Sequence, residues 1–171
     1  MRLTLSLYTD RLEPKAETRL AGRNRVVYVR EGDVLVRSRG QAMGLAANSA
    51  WHARDDVVIA AGSAGATLLR WELGVVADGS PTLSHGVDLD DPGGYLMRCD
   101  RVDFPLGGIA YTHVHRGPGI RCLLAGGIRV EVNGKAHDVA PGAMSCPFPF
   151  ISTRMDPASR QRMPGPRWTW V

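Results

Sequence analysis

Residues 107–127 read GGIAYTHVHRGPGIRCLLAGG, and the spacing of the two histidines inside that stretch decides how the chain is read. His113 and His115 stand two apart in a segment of strand character. A strand sends successive side chains to opposite faces, so a spacing of two puts both imidazoles on one face; a helix would need three or four. Two nitrogen donors side by side on a β scaffold are a way of presenting ligands to one metal ion.

Outward from this stretch lie two segments of the same design, Arg121–Val132 (RCLLAGGIRVEV) and Arg25–Arg37 (RVVYVREGDVLVR). Each joins an apolar or β-branched run to an alternating run through glycine, and both are read as hairpins. Matching Gly32 to Gly126 sets an offset of 94 residues, which also brings Gly40 onto Gly134 and Asn48 onto Gly142. Three turn positions in one register indicate an internal duplication. Val57–Ala60 and Ala66–Leu73 (ATLLRWEL) read as further strands about a turn at Gly62–Gly65, with Trp71 in the core. The segment from Asp78 to Gly94, rich in Gly, Pro, Ser and Asp, reads as a linker. The organisation expected is therefore an N-terminal half at 1–77, a linker at 78–94 and a C-terminal half at 95–171.

The chain's end departs from the repeat. From Ala143 onward there are five prolines in 29 residues. The 94-residue offset would lay the closing strand Ala66–Leu73 on Arg160–Arg167 (RQRMPGPR), where prolines and arginines replace an apolar run. Edge segments or loops are expected there, and the second half is expected to be incomplete at its C-terminus. Either the second barrel is closed by strands contributed differently, or the tail arose by a change of reading frame after Gly142.

Composition narrows the class. The chain has 171 residues, 44% of them hydrophobic, enough for a buried core and too many for a disordered chain. Twenty glycines and eleven prolines favour short elements and an all-β fold. No run of eighteen apolar residues occurs, and charged residues interrupt the N-terminus before a signal-peptide core could form, so a cytoplasmic protein without a membrane partner is expected. Basic residues exceed acidic ones by 21 to 17. The densest basic stretches, Arg19–Arg30 and Arg154–Arg167, lack stacking aromatics and any DNA-reading motif, so no nucleic-acid partner is expected. Cys99, Cys122 and Cys146, odd in number and widely spaced, read as reduced buried thiols.

With Gly107, five residues, His113, Val114, His115 and a closing glycine at 126 or 127, the sequence resembles the cupin superfamily, and the repeat makes it similar to a small bicupin. The resemblance implies two tandem jelly-roll barrels, the double-stranded β-helix, with a divalent metal ion (Fe, Mn, Ni or Zn) held by His113 and His115. The family's glutamate ligand should fall at Gly119 or Ile120, and its last histidine near Thr153, where Ser152, Thr153 and Arg154 stand instead. His137, on the strand-like segment Lys135–Val139, is a further candidate ligand. In the first half the same offset puts Arg19 and Ala21 at the histidine positions and Arg25 at the glutamate position. That half resembles the metal-free partner domain of bicupins, serving packing or dimerisation, which admits a homodimer.

Arg121 lies two residues beyond Gly119, so if that position points inward the guanidinium does too. A buried arginine needs an anionic partner, which is either Asp100 or Asp103 in an ion pair or a substrate carboxylate or phosphate. Two functions follow. The first is a metal-dependent enzyme of dioxygenase or isomerase type, in which Arg121 orients a small anionic ligand. The second is a ligand-binding or structural protein that has lost its metal site.

Overall fold

The computed structural model describes residues 2–89, 95–114, 117–132, 135–142, 144–145, 150–155 and 167–170. Every element in it is a strand, and the chain divides into two compact units, Met1–Met97 and Arg98–Val171. The boundary differs from the expected linker because Leu83–Asp88, inside that segment, pairs antiparallel with the N-terminal strand.

The first unit opens with β1 (Arg2–Leu12), an alternating run that buries Leu3, Leu5 and Leu7 on one face. It continues through β2 (Glu17–Leu20), β3 (Asn24–Ser38), β4 (Gln41–Ala46), β5 (Ala50–Ala53), β6 (Val57–Gly74) and β7 (Leu83–Asp88). These seven strands make one sheet of order β4-β3-β6-β1-β7, with β2 added to β6 and β5 to β3. The core cluster draws on both halves of the two long strands: Val27, Val29, Val34 and Val36 from β3, and Val57, Ile59, Ala66 and Leu68 from β6.

Arg25–Arg37 is thus one bent strand and not a hairpin. Its partner along most of its length is β6, with register shifts between Val29 and Glu31 and between Gly32 and Val34. Gly32 sits at φ 78°, and a Cβ there would meet the Gly65 carbonyl oxygen at 2.1 Å. Such a left-handed glycine turns a strand through a bulge as readily as it closes a hairpin, and the bulge moves the core from odd positions (27, 29) to even ones (34, 36).

The second unit comprises β8 (Asp100–Asp103), β9 (Ile109–Val114), β10 (Arg121–Ala125), β11 (Ile128–Val132), β12 (Lys135–Val139), β13 (Met144–Ser145), β14 (Phe150–Met155) and β15 (Arg167–Trp170). They form two four-stranded sheets, β13-β10-β15-β8 and β12-β11-β14-β9. Here too Arg121–Val132 is no hairpin: β10 and β11 lie in different sheets, and the hairpin partner of β11 is β12.

Strand pairing repeats the first unit's register. Val34↔Leu45 and Ser38↔Gln41 recur 94 residues later as Ile128↔Val139 and Val132↔Lys135. Val27↔Trp51 recurs as Arg121↔Ser145. The Asn48 amide donates to the Val29 carbonyl at 2.8 Å, and the Gly142 amide donates to the Leu123 carbonyl at 2.8 Å. Asn48 and Gly142 share a left-handed backbone, φ 71° and 79°. The duplication is therefore written in hydrogen bonds as well as in glycines.

The repeat also passes Ala143, where it was expected to fail. Val34↔Ala61 has its match in Ile128↔Met155. The closing strand returns as β15, offset by 100 residues: Tyr28↔Leu69 becomes Cys122↔Thr169. A connection six residues longer hides it from a fixed-offset search. This unit remains the shorter one, with a closing strand of four residues where β6 pairs with β1 over nine, from Ala66 to Gly74.

Candidate functional site

The register of β10 decides where Arg121 points. Leu123, two residues on, is fully buried and packs with Ile128, Val130, Val139, Val102 and Phe104 in the second unit's core. Arg121 shares that strand face and is 4% exposed. Its counterpart in the first unit is Val27, a fully buried core residue. The duplication has thus placed a guanidinium where the sister unit keeps a valine. Burial pushes the Arg121 pKa down to about 10, since a low-dielectric interior penalises the charged form. Nearby in sequence, Asp100 Oδ2 lies 2.7 Å from Arg98 Nη2, and Asp103 Oδ2 lies 2.9 Å from Arg101 Nη2.

Position 113 lies on β9 opposite Ile151 of β14. The ladder shifts between Ile151 and Thr153, so that Thr153 faces Ala110 and one extra residue of β9 is accommodated before position 113. Thr153 in turn faces Val130, and Val130 faces His137 on β12. Cross-strand pairs share a face, so positions 113, 151, 153, 130 and 137 belong to the same side of this sheet, the side on which Val130 joins the core. His137 itself is exposed, on the outer strand of the sheet. His115 lies outside the described residues. Among the described residues, no group of three His, Cys, Asp or Glu side chains is close enough to hold a metal ion.

The interior of the first unit carries chemistry that the sequence reading passed over. Arg25, at the position matched to the family's glutamate, is 1% exposed, and its Nε donates to Glu72 Oε1 at 3.0 Å. Arg25 Nη1 donates to the Asp55 carbonyl at 3.1 Å, and Nη2 to the Ala21 carbonyl. Glu72 also receives Arg70 Nη1 at 2.7 Å, while Arg70 Nε and Nη2 fork onto Asp10 at 2.6 and 3.1 Å. The Arg70 guanidinium lies 4.0 Å from the Tyr8 ring centroid. Burial lowers the Arg70 pKa, but Asp10 and Glu72 more than offset it, so the net shift is upward and the group stays charged. Two arginines and two carboxylates thus neutralise one another on the face that elsewhere buries Val27, Val29 and Leu68. The visible signal was the alternation in ATLLRWEL, which sets Arg70 and Glu72 opposite Leu69 and Trp71.

The remaining histidines are peripheral. His52 Nε2 lies 2.7 Å from Asn24 Oδ1 on the surface, and His85 is exposed on β7. Burial first, and then the Asp100 charge, push the Cys99 thiol pKa up to about 12, which disfavours the thiolate.

No family model and no curated protein matches this sequence. Solved structures do match. Oxalate decarboxylase from Bacillus subtilis superposes with a TM-score of 0.69 at 11% identity, covering 98% of this chain and 68% of that one. AerE from Microcystis aeruginosa gives 0.71 at 10% identity, covering 97% and 86%. A salicylate 1,2-dioxygenase from Pseudaminobacter salicylatoxidans gives 0.67 at 11% identity, covering 98% and 70%. Another structure of the decarboxylase is described in terms of its Mn(II) centres. These are cupin-fold proteins, and the likeness establishes the fold alone.

Proposed function

We propose that this cupin-fold chain binds a small anionic metabolite inside its second unit, with Arg121 as the anion-binding group and His113 and His115 as ligands of a divalent metal ion. The observation that carries the reading is the buried guanidinium of Arg121 on the core face of β10, where the duplicate unit has Val27. A guanidinium fork on that buried face has the donor geometry to hold a carboxylate. Two structural neighbours act on carboxylate-bearing compounds by name, oxalate and salicylate, which supports a carboxylate as the ligand class.

The donor chemistry suits Fe, Mn, Ni or Zn, because imidazole is a borderline ligand accepted by all four. Two imidazoles leave coordination positions open for substrate and water. A metal bound there would supply Lewis acidity toward a ligand carboxylate. Arg121 would fix the carboxylate by a two-pronged hydrogen bond. A reaction of dioxygenase or isomerase type is the enzymatic form of this proposal. The non-catalytic form is favoured by Gly119, which has no side chain to offer, and by Thr153, which occupies the strand position where the third histidine was sought.

Titration of the purified protein with oxalate, before and after loading with Mn(II), tests the carboxylate site. Arg121→Leu should weaken binding by about 1.5–3 kcal/mol, the worth of a hydrogen bond to a charged group. Stability of the ligand-free protein should hold, because the fold already tolerates an apolar residue at the matched position. Equal oxalate affinity in the variant would refute the site, and a matching loss of stability without ligand would assign Arg121 to an internal ion pair.

A further inference from the structure

The turn between β3 and β4 uses Arg39 and Gly40, with φ of 50° and 73°. Ser38 and Gln41 pair across it, so this is a two-residue hairpin connection with both central residues left-handed, the form that favours Asn-Gly. The matched connection in the second unit, between the paired residues Val132 and Lys135, has the sequence Asn133-Gly134. Arginine enters the left-handed region less readily than the asparagine at the matched sequence position, and strain of this kind collects where function requires a particular side chain.

Arg39 stands beside a cavity of about 370 Å³, whose walls include Arg19, Arg37, Leu20, Val57 and Val58. Arg19 pairs with Val58 across β2 and β6, and Val58 pairs with Arg37 across β6 and β3. The three residues form one cross-strand row on one face, with the two arginines flanking a valine and their backbones about 10 Å apart. Arg37 is paired with Glu17 and Arg39 with Asp55, both at the surface. Exposed pairs of this sort are weak and exchange readily for an incoming anion. Arg19 has no ion-pair partner among the described residues. Asp56, the acidic residue in the lining, accepts the Gly22 amide at 2.6 Å through Oδ1.

Three guanidinium groups around the half-buried Val58 match a ligand with a multiply charged oxyanion. Planar guanidinium forks suit phosphoryl oxygens, and the volume is that of a metabolite-sized pocket. From this we infer that the first unit binds a phosphate-type oxyanion at Arg19, Arg37 and Arg39. The site involves no histidine and lies wholly within residues 19–58 of the first unit.

Inorganic pyrophosphate is the probe, titrated calorimetrically into the full chain at fixed ionic strength. Arg19→Gln should weaken saturable binding about tenfold, and Arg39→Asn by a similar factor. Arg39→Asn should at the same time raise the melting temperature, since it installs the residue the turn prefers, so its loss of binding could not be ascribed to misfolding. Arg11→Gln, an exposed arginine outside the cavity, should bind as the parent does. The inference is overturned if the parent shows no saturable binding, if Arg11→Gln loses as much as Arg19→Gln, or if Arg19→Gln and Arg39→Asn keep full affinity. A lowered melting temperature for Arg39→Asn would remove the strain argument and count against it as well.

Discussion

Glu72 receives two buried guanidinium groups at once, from Arg25 at 3.0 Å and Arg70 at 2.7 Å. Replacing it with leucine would leave both cations in the interior with one carboxylate fewer between them. Glu72→Leu should therefore destabilise the first unit by about 3–5 kcal/mol, the usual penalty for breaking a buried pair from one side. Urea denaturation measures this directly, and a change below about 1 kcal/mol would mean that the network carries little of the unit's stability. Residue-scale legibility followed sequence distance. The inward direction of Arg121 was readable because period two operates over three residues. The Arg25–Glu72 contact, separated by 47 positions, was invisible until the strands were paired. The same holds for Val27 facing Arg70 across β3 and β6.

At the scale of elements, glycines with positive φ do two different jobs. Gly32 is in close contact, with the Gly65 carbonyl at 2.1 Å from a hypothetical Cβ, whereas a Cβ on Gly40 would meet nothing within 4 Å. Both are left-handed, so both pay backbone strain on substitution, but only Gly32 adds a collision with backbone. Gly40→Ala should cost about 1 kcal/mol and Gly32→Ala about 3 kcal/mol, compared by thermal or urea unfolding. Equal costs would show that the bend at Gly32 relaxes freely. This distinction explains why both glycine-centred segments were read as hairpins. A run, a glycine and a second run describe a strand turning a barrel corner as well as a strand reversing, and only the partner strand tells them apart. The true hairpins close at Arg39-Gly40 and between Val132 and Lys135, and the latter carries the Asn-Gly signal that the sequence reading used only as a repeat marker. In β1, Leu3, Leu5 and Leu7 alternate plainly, but no glycine before Gly22 marks where that run ends.

At the scale of the whole molecule, one strand plan is used twice and filled differently. The first unit neutralises its interior with Arg25, Glu72, Arg70 and Asp10, and the second buries Arg121 on the core face of β10. Fold class and duplication were legible because backbone register leaves a periodic imprint on sequence. The closing strand was not, because a connection lengthened by six residues moves β15 out of a fixed offset. Chemistry confined to the second unit should survive a lesion in the first: Gly40→Ala, which strains only a surface turn, should leave the metal content of the purified protein unchanged. The metal-binding part of the proposed function rests on His113 and His115, and metal analysis of protein purified without added ions measures it. The parent should carry close to one divalent ion per chain, and His113→Ala/His115→Ala should lose it while keeping the β-sheet circular dichroism of the parent, because two ligands contribute far more to the ion than to barrel packing. A parent with less than about a tenth of an ion per chain, or a folded double variant with undiminished metal, would contradict it.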